Sequence, residues 1–336
     1  MVFRITFGDR TSPENPFCEP SAPGLTVAPE GHLVNRVRIH VVPSYARGMS
    51  VTELWLVRHG ESVGNVAATR AQREGQEAIP LDLRDADVPL SPVGTSQARA
   101  LGEWMAEHPG QIDAFWVSPY VRARETLTIA LMDEASVSAP RIVDERLRDR
   151  ELGILDLMTR AGVERLHPGE AERRRHLGKF YHRPPGGESW ADVALRLRSF
   201  LRDALPGPAE SAMIVAHDAV VILLLYVLLP LDETELLDFA AGNTVHNASI
   251  THLRFAGKGW ELVDFSSVGH LERVGAPVTE HAGSPDVQPP DSTSPTRHAP
   301  PWKPSRMSAS AAWRWMPSGS ACSLMSIGLV CRGRSS

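Results

Sequence analysis

The chain has 336 residues, of which 42% are hydrophobic, and its formal net charge is -5 at pH 7. This length is enough for one large domain or two ordinary ones, and the hydrophobic content is that of a globular protein. This small negative net charge excludes a positive electrostatic field over the whole protein, so neither nucleic acid nor a membrane is an expected partner. The three cysteines, Cys18, Cys322 and Cys331, lie near the two ends. No disulfide or thiolate metal site is therefore expected in the middle of the chain, and the expected location is the reducing cytoplasm.

Composition divides the chain into three parts. Residues 1–48 contain several prolines and no sustained hydrophobic periodicity, which predicts a poorly ordered extension. Residues 49–275 alternate short apolar runs with amphipathic runs, which predicts a single folded domain. Residues 276–336 are rich in Ser and Pro and offer too little apolar surface to offset the entropy of ordering. This last part is predicted to be a disordered tail.

The middle part begins with alternating strands and helices. Short apolar runs predict buried strands over residues 53–57, 113–118 and 212–216. Amphipathic runs predict helices over residues 92–108 and 190–205, each preceded by a serine that can cap it. Strands that alternate with helices predict a mostly parallel central sheet covered on both faces. The expected fold is a three-layer α/β/α architecture.

Two further segments complete the predicted fold. The longest apolar run, from Ala219 to Leu231, has thirteen residues. It is shorter than the roughly 20 residues that a membrane-spanning helix needs, so it predicts a buried helix. Residues 249–255 and 259–265 alternate in polarity and are separated by a short Gly-containing connection. This pattern is typical of a β-hairpin, here at the end of the sheet.

The loop after the first strand is a candidate site. It contains Arg58, His59 and Gly60, with Asn65 shortly after. Ligands of open α/β sheets bind beyond the carboxyl ends of the strands, where this loop lies. Arginine offers a fork of donors to phosphate oxygens, and Gly60 lets backbone approach a ligand closely. Because Arg-His-Gly is short, the same residues would also be common in an ordinary charged surface loop.

The ends of the other two parallel strands carry residues of the same kind. After the second strand, Ser118 is predicted to cap a helix, Pro119 to occupy its first turn, and Arg122 to lie near its positive end. The third strand ends at His217. Taken singly, Arg122 is equally typical of a solvated helix, and His217 of a structural histidine. The three strand ends together supply two histidines and two arginines, which favours a shared anion site.

These residue types suit phosphoryl transfer. A phosphate ester carries about -1.5 to -2 charges near neutral pH, and its transfer depends mostly on positioning and electrostatic stabilisation. Arg58, Arg122 and His217 can surround the phosphate with positive charge. A neutral His59 can attack the phosphorus and hold the phosphoryl group covalently, which divides one displacement into two easier ones. An acid that protonates the departing oxygen is also required.

The motifs resemble those of the histidine phosphatase superfamily, also called the phosphoglycerate mutase-like family. The similar segments are LVRHGESVGN (56–65) and SPYVRARET (118–126), followed by His217, and the resemblance covers about residues 52–265. It implies that residues 49–275 form the catalytic domain and that His59 is the residue that becomes phosphorylated. The phosphate-binding residues that it implies are Arg58, Arg122, His217 and Asn65.

The resemblance also implies a general acid four residues before a glycine. In RLRDRELG (146–153) that glycine is Gly153, and the matching position is Asp149, where most relatives have Glu. Glu151 is the rival candidate, and both carboxylates can also simply pair with neighbouring arginines. A second departure is Asp218, where a glycine is commoner. Its carboxylate either hydrogen-bonds the imidazole of the preceding histidine or caps the following helix.

The region between the acid and the third strand corresponds to the part of relatives that contributes to a lid over the substrate. Within it, Glu188 of the Gly-Glu-Ser segment is predicted to contact the substrate, whereas the arginine run 173–175 is more typical of a solvated helix face. His167, His176 and His182 lack the spacing of metal ligands on a helix. Neither a metal nor another cofactor is expected.

Three functions are compatible with these residues. The preferred one is a phosphatase that hydrolyses a small phosphate monoester through a phosphohistidine on His59, with Asp149 as general acid and base. The second is a cofactor-dependent phosphoglycerate mutase, but residues 66–90 lack the Trp-containing stretch that the resemblance would imply for mutases. The third is a non-catalytic domain that binds phosphorylated ligands. The expected partner is a small phosphorylated substrate, and the expected assembly is a monomer or a homodimer.

Overall fold

The computed structural model describes residues 50–132, 139–229 and 231–281. The predicted extension over residues 1–48 lies outside the described residues, as does the predicted tail from residue 282 onward. Residues 276–281 were assigned to the tail from composition, yet they hydrogen-bond to the folded part, for example from Gln97 Nε2 to the Pro277 carbonyl at 2.8 Å. The folded part therefore extends at least to His281.

The described residues form six strands and nine helices, together with short 3-10 turns. In chain order these are β1 (Glu53–Arg58), α1 (Val63–Arg73), α2 (Pro92–Ala106), β2 (Ala114–Val117), α3 (Val121–Ala130), β3 (Arg141–Val143), α4 (Arg160–Leu166), α5 (Pro168–Tyr181), α6 (Trp190–Ala204), β4 (Ser211–Ala216), α7 (Asp218–Leu228), α8 (Glu233–Gly242), β5 (Ile250–Phe255), β6 (Trp260–Ser267) and α9 (Gly269–Arg273).

The strands form one sheet in the order β3-β2-β4-β1-β5-β6. The first four strands are parallel, β5 runs antiparallel to β1, and β6 runs antiparallel to β5. The predicted mostly parallel sheet and the predicted hairpin are both confirmed. Strand β3 was not predicted, because its three residues are all exposed and leave no hydrophobic pattern in the sequence.

Helices cover both faces of the sheet, which confirms the three-layer architecture. Because side chains of a strand alternate between faces, Leu54 and Leu56 of β1 belong to one core cluster, and Trp55 and Val57 belong to the other. The first cluster includes buried residues of α6 and α7, and the second includes buried residues of α2 and α3. Full burial of one such aliphatic side chain contributes about 1.5–3 kcal/mol relative to exposure.

The helix boundaries follow local hydrogen bonds. Ser91 Oγ accepts a hydrogen bond from Gly94 N at 3.0 Å and begins α2, and Ser189 forms the predicted capping box with Asp192 at the start of α6. The apolar helix α7 begins at Asp218, one residue before the predicted start, and ends at Leu228. Among the described residues, none of the helices has the length and apolar content that crossing a membrane requires.

Candidate active site

The loops that follow β1, β2 and β4 meet at one edge of the sheet. These strands are parallel neighbours in the order β2-β4-β1, so their carboxyl ends lie side by side. The rings of His59 and His217 stand edge to face with their centroids 5.2 Å apart. Arg122 Nε lies 3.2 Å from His59 Nε2. The two histidines and the arginine therefore surround one small volume, as the sequence predicted.

Local hydrogen bonds fix the protonation of His59. Its Nδ1 lies 2.6 Å from the Gly60 carbonyl oxygen, which can only accept, so Nδ1 carries the hydrogen. Burial lowers the pKa of His59 well below its ordinary value, and the positive charge of Arg122 lowers it further. The ring is therefore neutral near pH 7, and Nε2 keeps a lone pair, which accepts a hydrogen bond from Arg122 Nε. This is the state that a nucleophilic histidine requires.

Arg122 is held rigidly at the start of α3. Its guanidinium donates to Asp85 Oδ1 at 2.9 Å, to the Asp85 carbonyl at 2.6 Å and to Asp149 Oδ2 at 3.0 Å. Asp85 belongs to a short 3-10 turn that precedes α2, and no motif in the sequence identifies it as part of the site. Paired carboxylates fix the plane of the guanidinium, so that its Nε–H faces His59.

Arg58 is buried beneath the loop after β1. Its two terminal nitrogens donate to the Val245 carbonyl at 2.6 Å and to the His281 carbonyl at 3.0 Å. Arg58 Nε is buried and has no hydrogen-bond partner among the described residues. A buried donor left unsatisfied costs about 1–3 kcal/mol. An anion in the site would accept from it.

Asp149 lies between Arg122 and His217. Its Oδ2 is 3.0 Å from an Arg122 terminal nitrogen and 3.2 Å from His217 Nδ1, and its Oδ1 accepts from Arg150 N at 2.8 Å. Burial raises the pKa of the Asp149 carboxyl, but His217 and Arg122 outweigh that effect and hold the pKa well below its usual range. Asp149 is thus ionised in the free protein and adjacent to the place where a phosphate would bind.

The rival carboxylate, Glu151, lies in the same cavity but has a different partner. Its Oε1 accepts a hydrogen bond from the Tyr120 hydroxyl at 2.9 Å. Tyr120 in turn packs edge to face on His217, with ring centroids 5.1 Å apart. Asp149, by contrast, contacts both Arg122 and His217. Of the two carboxylates, Asp149 is therefore the one held between the arginine and the histidine of the site.

Ser118 has a different role from the predicted helix cap. Helix α3 begins at Val121, and its N-cap residue, Tyr120, makes no capping hydrogen bond through its side chain. The Ser118 hydroxyl instead lies 2.8 Å from His217 Nε2. This contact fixes the orientation of the His217 ring. The ring's other nitrogen, Nδ1, therefore faces Asp149.

Gly60 is needed for a different reason from the predicted one. A side chain at this position would meet the backbone of α2 and not a ligand, because a Cβ atom would lie 2.7 Å from the Gly94 carbonyl oxygen.

Asn65 lines the cavity, and its Oδ1 accepts hydrogen bonds from Ser62 N at 3.1 Å and from Asn247 Nδ2 at 3.3 Å. Asn247, which the sequence did not reveal, also donates to the His59 carbonyl at 3.2 Å.

Glu188, predicted to contact the substrate, is not among the residues that line the cavity. Its Oε1 accepts hydrogen bonds from Arg148 at 2.6 Å and from Arg196 Nε at 3.0 Å. Its Oε2 accepts from Glu151 N at 3.3 Å. Glu188 therefore holds the backbone on both sides of Asp149 in place. The sequence motif placed Glu188 in the right neighbourhood, but the two arginines that bind its carboxylate are visible only in three dimensions.

Asp218 also lines the cavity. It is the first residue of α7, and its Oδ1 accepts a hydrogen bond from Ala219 N at 2.8 Å. The N-cap residue of α7 is His217, whose side chain makes no capping hydrogen bond, so Asp218 bonds the next backbone N–H from inside the first turn and is not the predicted cap.

The cavity has a volume of about 330 Å³, and five of the seven predicted site residues line it: Arg58, His59, Asn65, Arg122 and Asp149. Apolar side chains of Ile79, Leu81 and Met158 form part of its wall. His281, at the end of the described residues, also lines it, and its Nε2 lies 2.7 Å from Glu61 Oε2. Within the described ranges, no group of three or more His, Cys, Asp or Glu side chains is arranged to hold a metal ion.

The amino-acid sequence is similar to those of known proteins. The chain is 33% identical over 167 residues to 2,3-bisphosphoglycerate-dependent phosphoglycerate mutase 2 of Gloeobacter violaceus, a match that covers 49% of this chain and 69% of the relative. It is 29% identical over 168 residues to fructose-2,6-bisphosphatase of Saccharomyces cerevisiae, covering 50% of this chain and 32% of the yeast protein.

Solved structures show the same architecture. A mycobacterial glucosyl-3-phosphoglycerate phosphatase, solved with VO3, superimposes with a TM-score of 0.50 at 27% identity. That match covers 65% of this chain and 100% of the mycobacterial chain. The family model of the histidine phosphatase superfamily (branch 1) matches residues 54–267, which include every residue that lines the catalytic cavity except Glu280 and His281. The chain therefore belongs to the histidine phosphatase superfamily.

Proposed function

We propose that the protein is a phosphatase that hydrolyses a small phosphate monoester through a phosphohistidine on His59. The observation that supports this most directly is the neutral His59, whose Nε2 lies 3.2 Å from Arg122 Nε, in the cavity that Arg58 also lines with a buried Nε that has no hydrogen-bond partner among the described residues. A phosphate dianion bound here would accept hydrogen bonds from Arg58 Nε, His217 Nδ1 and Arg122. Its phosphorus would then face the lone pair of His59.

The first chemical step forms the phosphohistidine. His59 Nε2 attacks the phosphorus in line, the bond between phosphorus and the ester oxygen breaks, and the departing oxygen takes a proton from the Asp149 carboxylic acid. Asp149 must therefore be protonated when the substrate is bound. A dianion in the site engages Arg122 and His217 and adds negative charge beside Asp149. Both effects raise the pKa of that carboxyl in the complex above its value in the free protein.

The second step releases phosphate. A water oxygen attacks the phosphorus of phosphorylated His59 and gives a proton to the Asp149 carboxylate, and the bond between phosphorus and Nε2 breaks. Inorganic phosphate leaves, His59 returns to its neutral form, and Asp149 returns to the acid form for the next ester. The sum of the two steps is ester plus water giving alcohol plus phosphate. No metal takes part in this scheme.

The proposal is tested with purified protein and p-nitrophenyl phosphate in the presence of EDTA. We expect release of phosphate from the wild type, and a loss of about 10³-fold or more in kcat/KM for His59→Ala. Rapid quenching of the wild type should trap an acid-labile phosphoryl group on His59, detectable by mass spectrometry. Unchanged turnover by His59→Ala would contradict the proposal. A wild type that binds phosphate esters but neither hydrolyses them nor becomes phosphorylated would be a binding domain instead.

A mutase is the second candidate, because the Gloeobacter relative carries that name. In a mutase the phosphoryl group of His59 would return to the substrate and would not pass to water. The test supplies 3-phosphoglycerate with a trace of 2,3-bisphosphoglycerate and measures 2-phosphoglycerate and inorganic phosphate together. We expect release of phosphate to exceed isomerisation. Isomerisation far faster than hydrolysis would reverse this assignment.

A further inference from the structure

A second and larger cavity adjoins the catalytic one. It has a volume of about 640 Å³ and lies among α4, α5 and α8. We call it the basic cavity. Four residues line both cavities, so the two cavities adjoin at these side chains; they are Arg150, Leu152, Lys179 and Ala240.

The walls of the basic cavity carry an excess of positive charge. Its cationic residues are Arg150, Arg160, Arg174, Arg175 and Lys179, and its only carboxylates are Glu164 and Glu170. Both carboxylates have cationic partners already: Glu164 lies 2.9 Å from Arg160, and Glu170 lies 3.0 Å from Arg173. A concave wall with one sign of charge concentrates its field and attracts a ligand of the opposite sign.

Lys179 stands at the junction of the two cavities. Its Nζ lies 4.2 Å from the centroid of the Trp190 ring, and no carboxylate of the described residues forms an ion pair with it. Burial lowers the pKa of Lys179 to about 8, and the charges of Arg174 and Arg150 add to this effect. Burial together with Arg150 and Arg160 likewise lowers the pKa of Arg174 to about 10. These cations repel one another, and an anion between them would relieve that repulsion.

The shared wall of the two cavities indicates which molecule could carry such an anion. In the proposed reaction the alcohol part of the ester departs on the side of Asp149, whose carboxylate protonates it. Arg150 and Leu152 follow Asp149 in the chain and line both cavities. The alcohol part would therefore extend past these residues toward the basic cavity. Apolar walls from Leu155, Val163 and Leu237 suit its carbon skeleton.

We infer that the basic cavity binds a second anionic group of the substrate, carried by the alcohol part of the ester whose phosphate lies at His59. The substrate class is then a phosphate monoester with a distal carboxylate or phosphate, separated from the reacting phosphate by an apolar or neutral spacer. This inference rests on the proposed phosphatase function.

The test compares pairs of esters that differ only in the distal charge. One member is a straight-chain alkyl phosphate, such as hexyl phosphate, and the other is the same chain with a terminal carboxylate, with chain length varied in both series. We expect kcat/KM to be about tenfold higher for the carboxylate ester at the chain length that reaches the basic cavity. Binding of the same pairs to His59→Ala, measured by calorimetry, should show the same preference without turnover.

Two variants and a matched control locate the preference. Arg174→Met and Lys179→Met should each reduce it to about threefold or less, because each removes a positive charge but keeps an apolar side chain. The control is Arg165→Met on α4, whose guanidinium pairs with Glu77; neither of these two residues lines the basic cavity. It should keep the full preference, and circular dichroism should show equal helix content in all three variants.

The outcomes separate this inference from the function on which it rests. Rapid hydrolysis of both series with no preference at any chain length would overturn the inference and leave the phosphatase in place. A preference that survives both Arg174→Met and Lys179→Met would also overturn it. If no ester is hydrolysed, the proposed phosphatase fails, and the binding measurement with His59→Ala still decides the inference. Stimulation of alkyl phosphate hydrolysis by free hexanoate would instead identify the cavity as an effector site and overturn the inference.

Discussion

The phosphate end of the site and the basic cavity beside it are built in different ways. At the phosphate end, Arg58, His59, Arg122 and His217 are almost fully buried, and each follows or begins a regular element next to the sheet. In the basic cavity, Arg160 and Arg175 are largely exposed, lie on surface helices and pair with residues on their own helix. The phosphate end is thus fixed by the core, whereas the basic cavity depends on how α4, α5 and α8 pack.

This difference indicates what each region contributes. Burial removes the screening of charge, so the phosphate end can stabilise a transferring phosphoryl group strongly, and its geometry leaves little freedom for substitution. The exposed pairs of the second region are individually weak, typically about 0–1 kcal/mol. They can be exchanged at little cost in stability, which suits a region that selects the substrate.

The largest expected effect is at the phosphate end, in Asp149→Asn. An amide cannot deliver the proton, so we expect kcat for hexyl phosphate to fall by about 10²–10⁴-fold. The loss should be much smaller for p-nitrophenyl phosphate, whose leaving group needs little protonation. Steady-state kinetics on both esters measures the contrast.

Glu151→Gln is the matched control for that prediction. Its carboxylate contacts Tyr120 and not Arg122, so we expect less than about a tenfold change on either ester. The reverse result, with Glu151→Gln severe and Asp149→Asn mild, would exchange the roles of the two carboxylates.

A second prediction concerns the support of the phosphate end. The fully buried Gln97 accepts from Glu61 N at 2.8 Å and donates to the Pro277 carbonyl and to Thr279 Oγ1. Gln97→Leu leaves these groups unsatisfied, so we expect a loss of about 1–3 kcal/mol in the free energy of unfolding in urea. Gln76→Leu, which removes an exposed amide, should change it by less than about 0.5 kcal/mol. Equal effects would show that residues 276–281 contribute nothing to stability.

A third prediction uses pH to distinguish the two regions. A lysine with a pKa near 8 is charged below that pH and neutral above it, so the preference for the carboxylate ester should fall as pH rises from 7 to 9. A bound anion raises the pKa of Lys179 and moves the midpoint upward, as the nearby Asp218 carboxylate also does. Arg150 and Arg174, each with a pKa of about 10, keep most of their charge over this range. In Lys179→Met, the ratio of kcat/KM for the carboxylate ester to kcat/KM for the alkyl ester should not change with pH. A slope that persists in that variant would assign the titration to another group.

The smallest effect is expected for Glu188→Gln. Its carboxylate holds Arg148 and Arg196 and does not line the catalytic cavity. We therefore expect kcat to fall by less than about fivefold, through a less rigid Asp149 segment, while KM stays the same for every ester. A rise in KM that differs between the alkyl and the carboxylate esters would show that Glu188 contacts the substrate after all.

Much of the phosphate end could be predicted because its signals are local. Strand β1 and the residues that follow it are contiguous in sequence, and the carboxyl ends of parallel strands must meet at one edge of the sheet. The fold class, the helix starts at Ser91 and Ser189, and the closeness of His59, Arg122 and His217 follow from such patterns. The exposed strand β3 gave no such pattern.

The sequence by itself determined the architecture and the chemical types of the residues at the phosphate end, because these depend on hydrophobic periodicity and on short motifs. Only the tertiary structure decided which residues form hydrogen bonds and ion pairs with the site residues. Asp85 and Asn247 join the site from distant segments, Ser118 orients His217, and Glu188 turns away to bind two arginines. Hydrogen bonds and ion pairs between residues far apart in the chain depend on packing geometry, which no local pattern of the sequence encodes.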